Sequence, residues 1–171
     1  SKSKKSYLWD LNGNRYTDVL SMGIGTNTLG YANKFVDKQV TRVIGEGNMS
    51  SLNSVDEIYL AEKLIEIHPW AQMVRFTRSG GEANAVAIRI ARATTGKDKI
   101  AICGYHGWHD WYLSSNLSNP KNLDEYLLKN LKVSGVPNQL KNTTFPFKYN
   151  DIESLNKLIS KEHKKLHKNM S

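Results

Sequence analysis

A short polar segment, Arg78-Ser-Gly-Gly-Glu-Ala83, has the composition of an anion-binding turn. It follows a strand-like run, Met73–Thr77, and precedes a helical pattern that Gly96 ends. The first N–H groups of a helix lack intrahelical acceptors, and the helix dipole makes that end electropositive. Glycines let an anion approach these groups, and Ser79 adds a hydroxyl donor. The segment therefore predicts a phosphate-binding site, although an ordinary turn capped by Ser79 would have the same pattern.

A second candidate segment is the polar, aromatic turn Gly104–Tyr112, directly after another strand-like run. Ligands of open α/β sheets bind beyond the carboxyl ends of the strands, which would bring this turn and the anion-binding segment together. Tyr105 could stack on a flat ring, and His106 could hydrogen-bond to it. A metal site formed by His106, His109 and Asp110 is the alternative. Two histidines three residues apart without a third clear ligand form a weak pattern, so we predict no metal site.

The elements that must position these segments can be predicted from turn residues and hydrophobic periodicity. Asn12-Gly13 predicts a β-hairpin, three glycines predict a sharply bent loop between Ser21 and Gly30, and Ser54 with Glu57 has the spacing of a capping box. From Ser54 onward helices and strands alternate, which favours an α/β sheet with parallel strands. The predicted strands are Tyr7–Asp10, Arg15–Val19, Met73–Thr77, Lys99–Cys103 and Thr143–Tyr149; the predicted helices are Asn33–Ile44, Ser54 to about Ile65, Glu82–Thr95, Asp124–Lys129 and Asp151–His167.

Length and composition exclude several classes of protein. The 171 residues suit one domain, and the absence of a long apolar run argues against a membrane span. One cysteine, Cys103, excludes an intramolecular disulfide and favours a cytoplasmic location. The net charge of +8 is concentrated at the ends: residues 1–5 and 161–171 carry +3 each. We interpret these ends as solvated tails, and the nearly neutral remainder argues against a nucleic-acid-binding face.

Four segments, in this order, resemble those of class III aminotransferases: Tyr7–Asp18, the loop Ser21–Tyr31, Ser79–Ala83 and Tyr105–Gly107. The chain is most similar to the glutamate-1-semialdehyde 2,1-aminomutase-like members, and the resemblance extends from about Tyr7 to about Leu158. It implies an α/β fold, namely an incomplete fold-type-I pyridoxal-phosphate transferase of the aspartate-aminotransferase type. In that fold, residues 1–47 would form an amino-terminal arm and residues 48–171 the first part of the cofactor-binding large domain.

The resemblance also implies roles for individual residues. Ser79, Gly80 and Gly81 match the segment that holds the phosphate of pyridoxal 5'-phosphate. Many relatives carry Thr or Ser at the position of Gly81, so one hydroxyl donor is missing here, and Gly81→Thr would be tolerated. Tyr105 matches the residue that stacks on the pyridine ring, and His106 and Gly107 belong to the same motif. A loop near the substrate is matched by Ser21, Met22, Asn27 and Thr28.

The implied parent reaction moves an amino group between a small-molecule amino donor and acceptor, in a homodimer without a membrane or nucleic-acid partner. The substrate would be an amino acid, an amino-aldehyde or an amino-sugar-related compound. The family's Schiff-base lysine and its pyridine-binding aspartate are not among these 171 residues, so the chain would supply no catalytic residue and would be inactive alone. The alternative is a non-catalytic module that binds a phosphorylated ligand or nucleic acid.

Overall fold

The computed structural model describes residues 1–168, without the side chains of Ser21 and of residues 162–168. The chain forms two compact units, Ser1–Met73 and Val74–Ser171. This division differs from the boundary predicted after Gly47, because the helix that begins at Val55 belongs to the first unit. None of the helices in the described part of the chain has the length and apolar character that a membrane crossing requires.

The first unit contains an antiparallel sheet of three strands: β1 (Lys2–Lys4), β2 (Tyr7–Trp9) and β3 (Arg15–Thr17). The predicted hairpin is confirmed, with Trp9 opposite Arg15 and Gly13 at a φ of 85° in the connecting turn. The prediction that residues 1–5 form a solvated tail is wrong. Lys2–Lys4 pairs with β2, and the Lys2 Nζ lies 4.9 Å from the centre of the Trp9 ring. Pairing satisfies backbone groups that a free tail would leave to water.

A short kinked segment and two helices complete the first unit: α1 (Ser21–Ile24), in which Met22 and Gly23 have non-helical dihedral angles, α2 (Lys34–Glu46) and α3 (Val55–Ile67). The predicted α2 and α3 are confirmed, because their polar caps form. Asn33 Oδ1 accepts from the N–H groups of Phe35 and Val36, and Ser54 Oγ accepts from the N–H of Asp56 at 3.2 Å. Ser54 thus caps its helix through the second residue rather than through the predicted partner at Glu57.

The second unit comprises α4 (Gly80–Thr95), β4 (Ile100–Ile102), α5 (Asp110–Leu113), α6 (Ser115–Ser118), a single turn of 3-10 helix (Asn138–Leu140), β5 (Thr144–Pro146) and α7 (Ile152–Lys168). Strands β4 and β5 are parallel, with Ile100 opposite Thr144, as the alternating pattern predicted. A small core lies beside this pair of strands. Its buried apolar members among the described residues are Ile102, Trp111, Tyr112 and Leu123.

Two predicted elements are absent from the described structure. Met73–Thr77 forms no strand, because no neighbouring strand among the described residues supplies ladder hydrogen bonds. Residues 124–129 form turns instead of a helix, since their backbone hydrogen bonds are isolated ones such as Tyr126 N–H to the Leu123 carbonyl. The basic end at 161–171 lies, beyond Lys161, outside the residues whose side chains are described.

Candidate cofactor site

Helix α4 begins with two reciprocal side-chain caps. Ser79 is extended, at φ −146° and ψ 159°, and its Oγ accepts from the N–H of Glu82 at 3.3 Å. The Glu82 carboxylate accepts in turn from the N–H of Arg78 at 2.8 Å. Glu82 therefore fixes the start of the helix, a structural role that suits a carboxylate in the first turn.

The caps leave donors at the helix terminus available. The N–H groups of Gly80 and Gly81 have no acceptor in the described part of the chain, whereas the next two pair with Ser79. The Ser79 hydroxyl accepts one bond and retains its own proton, because a hydroxyl both donates and accepts. Two amides and one hydroxyl can therefore donate to an anion at the positive end of a 16-residue helix.

The turn after β4 lies directly against this helix terminus. A Cβ added to Gly107 would lie 3.2 Å from the Cα of Gly81, and Gly107 has a φ of 98°. Only glycine combines this close approach with a left-handed conformation at no steric cost. On the next turn of α4, the Asn84 amide donates to the His106 carbonyl at 3.4 Å. The structure thus brings together the two segments that the sequence placed beyond neighbouring strand ends.

Tyr105 presents an aromatic ring at the surface of this turn. Its side chain is 52% exposed, and its ring meets that of Tyr112 edge to face at a centroid distance of 6.1 Å. The Tyr112 hydroxyl donates to the Gly104 carbonyl at 3.1 Å. Burial raises the pKa of Tyr112 to about 12, with smaller contributions from Tyr105 and Tyr126, so the phenol stays protonated as a donor. The buried Tyr112 therefore supports Tyr105, and the exposed part of the Tyr105 ring remains available for stacking.

His106 is held by its own turn. Its Nε2 lies 2.8 Å from the Cys103 carbonyl oxygen, and a carbonyl can only accept, so Nε2 carries a proton. The ring also contacts Trp111 and Tyr112, at centroid distances of 6.3 and 5.9 Å. These contacts indicate that His106 fixes the turn. Because Nε2 is occupied by the Cys103 carbonyl, Nδ1 is the ring nitrogen that could interact with a ligand.

The predicted substrate loop has an unusual backbone. Met22, Gly23 and Ile24 have φ values of 42°, 73° and 58°, a left-handed turn that costs free energy in non-glycine residues. Asn27 closes the loop: its backbone N–H donates to the Met22 carbonyl at 3.2 Å, and its side-chain amide donates to Thr26 Oγ1. Ser21, Met22, Asn27 and Thr28 belong to the first unit, whereas the other predicted site residues belong to the second.

No metal centre is found among the residues that the structure describes, where no three His, Cys, Asp or Glu side chains cluster. His106, His109 and Asp110 form no such cluster among these residues, and the absence of a metal stays a prediction. The chain's anion donors and its exposed aromatic ring instead suit a flat, phosphorylated organic ligand.

Comparison with known proteins decides the family. The sequence model of the class-III aminotransferase family matches residues 1–171. This chain belongs to the class-III aminotransferases. The 2'-deamino-2'-hydroxyneamine transaminase of Streptomyces kanamyceticus is 37% identical over 121 residues, 70% of this chain and 31% of that protein. The glutamate-1-semialdehyde 2,1-aminomutase of Methanobrevibacter smithii is 34% identical over 163 residues, 94% of this chain and 37% of that protein.

Solved structures give the same assignment. An omega-transaminase from Sphaerobacter thermophilus superposes with a TM-score of 0.79 at 29% identity, over 94% of this class-III chain and 37% of the omega-transaminase. Another solved transaminase, described with pyridoxal phosphate bound, superposes with a TM-score of 0.78 at 26% identity. The predicted family, the fold-type-I architecture and pyridoxal phosphate as the family's cofactor are confirmed. The chain spans about a third of the length of the curated relatives that it matches.

The sequence did not indicate the contacts of three residues at the site: those of Asn84 with the His106 carbonyl, of Tyr112 with the Gly104 carbonyl, and of His109 with Gly81. Asn84 lies on the α4 face that meets the turn, and its spacing from Gly80 by one helical turn is a signal that could have indicated it. Tyr112 was part of the aromatic segment, but its hydrogen bond to Gly104 depends on the turn's backbone. His109 was considered only as a metal ligand. The individual roles predicted for Ser79, Gly80, Gly81, Tyr105, His106 and Gly107 stay predictions.

Proposed function

We propose that the chain supplies the phosphate-binding and ring-stacking part of a pyridoxal-phosphate-dependent aminotransferase or aminomutase. One observation carries the proposal: Gly107 packs on Gly81, and this brings the aromatic turn to a helix terminus that retains unpaired donors. The residues fit the cofactor's phosphate, because the N–H groups of Gly80 and Gly81 have no acceptor in the described part of the chain and lie at the positive end of the helix. The family assignment supports the same ligand.

Each residue has a definite task in this proposal. Ser79, through its hydroxyl proton, and Gly80 and Gly81, through their N–H groups, hold the phosphate. Tyr105 covers one face of the pyridine ring, while His106 and Gly107 hold the turn in place. When bound, the cofactor supplies the electron sink for chemistry at the carbon that bears the amino group. The chain's own contribution is to bind and orient the cofactor.

The chemistry also needs a lysine and an aspartate that the resemblance assigns to sequence outside these 171 residues. We therefore place the reaction in a longer protein that contains this chain, and we propose that the chain alone is inactive. The loop residues Ser21, Met22, Asn27 and Thr28 would lie near the substrate there. A homodimer and a cytoplasmic location belong to the same proposal. The names of three relatives point to 2'-deamino-2'-hydroxyneamine, glutamate-1-semialdehyde and 3-aminobutyryl-CoA as their substrates. The first two support the proposed amino-sugar-related and amino-aldehyde classes for this chain, whereas the third is a thioester outside the proposed classes.

The cofactor half of the proposal is tested by binding measurements on the longer protein. We expect a visible absorption band on adding pyridoxal phosphate and much tighter binding of pyridoxal phosphate than of pyridoxal, because the helix terminus recognises the phosphate. Salt-sensitive binding to unrelated nucleic acid, with no preference for the phosphorylated cofactor, would instead support the non-catalytic alternative.

The reaction half is tested by following a nitrogen label. A panel of ¹⁵N-labelled amino donors is incubated with the enzyme and an unlabelled keto acid. Label in the amino acid formed from the keto acid indicates an aminotransferase. Label that moves to a neighbouring carbon of the same substrate skeleton indicates an aminomutase. Binding of the cofactor with neither outcome across the three substrate classes would refute the proposed reaction.

A further inference from the structure

The side chain of His109 occupies the space in front of Gly81. A Cβ added to Gly81 would lie 2.9 Å from both Cδ2 and Nε2 of the His109 ring, which is closer than real Cβ contacts allow. Gly81→Thr therefore requires the exposed His109 ring to shift, and its tolerance stays a prediction. A hydroxyl-bearing residue fits at position 81 only if His109 moves.

The His109 ring has no other structural task in the described part of the chain. His109 stands at the residue before α5, but its side chain makes no capping hydrogen bond, and only its backbone carbonyl accepts, from the N–H groups of Tyr112 and Leu113. The side chain is exposed, so packing does not explain its position against Gly81. An imidazole always carries at least one N–H donor.

The ring edge and the Ser79 hydroxyl converge on one place. The position of the missing Gly81 Cβ is 2.9 Å from His109 Nε2 and 3.9 Å from Ser79 Oγ. Two side-chain donors thus flank the glycine whose N–H is unpaired, at the positive end of α4. In relatives, the resemblance implies that a Ser or Thr at position 81 provides a donor in this space.

We propose that His109 replaces that missing hydroxyl and donates a hydrogen bond from its ring to the cofactor's phosphate. This inference rests on the proposed function. It explains why glycine stands at position 81: a larger residue there would displace the imidazole. His109 and Gly81 are accordingly a coupled pair, in which either a hydroxyl on residue 81 or an imidazole at residue 109 supplies the donor.

The test is a double-mutant cycle in the longer protein, with dissociation constants measured by fluorescence for pyridoxal phosphate and for pyridoxal. His109→Ala is expected to weaken binding of pyridoxal phosphate by about tenfold, because hydrogen bonds to charged groups are the stronger ones, and to leave pyridoxal binding unchanged. His109→Gln retains an N–H donor and should recover part of the loss. Gly81→Ser, alone or combined with His109→Ala, should bind pyridoxal phosphate with close to the wild-type affinity, because its hydroxyl supplies the donor in place of the imidazole.

Phosphorus NMR of bound pyridoxal phosphate gives a second readout that does not depend on activity. The phosphate resonance should shift in His109→Ala and return toward the wild-type position in the double variant. Unchanged or tighter binding of pyridoxal phosphate by His109→Ala would overturn the inference, as would an equal loss for pyridoxal. If the wild-type protein itself shows no preference for pyridoxal phosphate over pyridoxal, the proposed function fails as well, so the two failures are distinguishable.

Discussion

At the scale of single residues, the site depends on side chains that are left free by well-paired neighbours. Tyr105 is exposed because Tyr112 takes the buried place beside it and donates to the Gly104 carbonyl. The Ser79 oxygen accepts from the N–H of Glu82, and its hydroxyl proton remains available to donate. Function in this region therefore follows from a division of roles, in which buried or paired groups hold the exposed groups in position.

Tyr105→Ala is expected to weaken cofactor binding. Aromatic stacking contributes about 0.5–1.5 kcal/mol beyond area, which corresponds to a loss of about two- to tenfold in affinity. Tyr105→Phe should bind normally, because the ring rather than the hydroxyl makes the contact. Tyr149→Ala is a matched control, since that tyrosine is also exposed but lies outside the turn. Fluorescence titration with pyridoxal phosphate measures all three, and an unchanged affinity in Tyr105→Ala would remove Tyr105 from the site.

Gly107→Ala is expected to lower both the free energy of unfolding and the cofactor affinity. A left-handed backbone costs a non-glycine residue about 1–2 kcal/mol, and here the added Cβ would also press on Gly81. Gly135→Ala separates the two effects, because Gly135 has a similar φ of 92° but nothing within 4 Å of an added Cβ. Chemical denaturation and cofactor titration should show a loss of affinity in Gly107→Ala alone. Equal behaviour of the two variants would mean that the contact with Gly81 is unimportant.

The residues that the sequence could predict are those whose chemistry is local. Ser79 as a cap and Gly81 at the helix terminus follow from their position between a strand-like run and a helical pattern. The role of His109 could not be predicted in this way. Its ring reaches Gly81 only because the turn folds back through Gly107, and that path is set by tertiary contacts rather than by spacing along the chain.

At the scale of elements, α4 is the part of the second unit on which the site depends. Its N-terminus carries the donors, and the αL conformation of Gly96, at a φ of 66°, ends it. Caps and breakers such as Ser79 and Gly96 act within a few residues, so the sequence predicts this helix well. Met73–Thr77 and β1 are the opposite case. Whether such a segment forms a strand depends on a partner distant in sequence, and local patterning does not report that partner.

Substitution of Ser79 can separate helix capping from phosphate binding. Ser79→Ala removes the cap and should cost about 1 kcal/mol of stability, whereas Ser79→Gly should cost only a few tenths of a kcal/mol. Both variants lose the hydroxyl and should lose cofactor affinity to a similar extent. Ser54→Ala is the control, because Ser54 caps α3 in the same manner. Thermal unfolding and cofactor titration test this, and affinities that follow stability instead of hydroxyl content would show that Ser79 acts only as a cap.

The hairpin between β2 and β3 should lose stability in acid. Hydrogen bonds to the Asp10 carboxylate, the largest effect coming from the Asn14 side chain, lower the pKa of Asp10 below its ordinary value of 3.8. A lowered pKa means that the folded hairpin favours the ionised form, so this stabilisation is present above the unfolded pKa and is lost as the pH falls through the folded pKa. The backbone N–H groups of Asn12 and Asn14 both donate to the Asp10 carboxylate, so their protection against hydrogen exchange should fall in acid. The variant Asp10→Asn should lack this acid-dependent fall. An acid response identical in Asp10→Asn and wild type would exclude Asp10 as its source.

At the scale of the whole molecule, the described chain carries a small core and much exposed apolar surface. Among the described residues, strands β4 and β5 pair only with each other, and isolated two-stranded sheets are marginal in water. Large apolar side chains are exposed in both units, among them Trp70, at 83%, and Trp108. Large contiguous patches of such side chains would mark surfaces that other protein segments cover. Together with a span of about a third of the relatives' length, this supports a reaction carried out in a longer protein.

The isolated 171-residue chain is therefore expected not to transfer amino groups. The donors at the start of α4 can attract the cofactor's phosphate, but such contacts alone bind weakly without a covalent link to a positioned lysine. Incubation with pyridoxal phosphate, reduction with borohydride and mass spectrometry should show low labelling, scattered over exposed lysines. The longer protein, treated identically, should show one stoichiometrically labelled lysine outside these residues. A single lysine labelled stoichiometrically within the isolated chain, with amino transfer to a keto acid, would show that these 171 residues contain a complete site, because scattered surface reactions cannot select one amine.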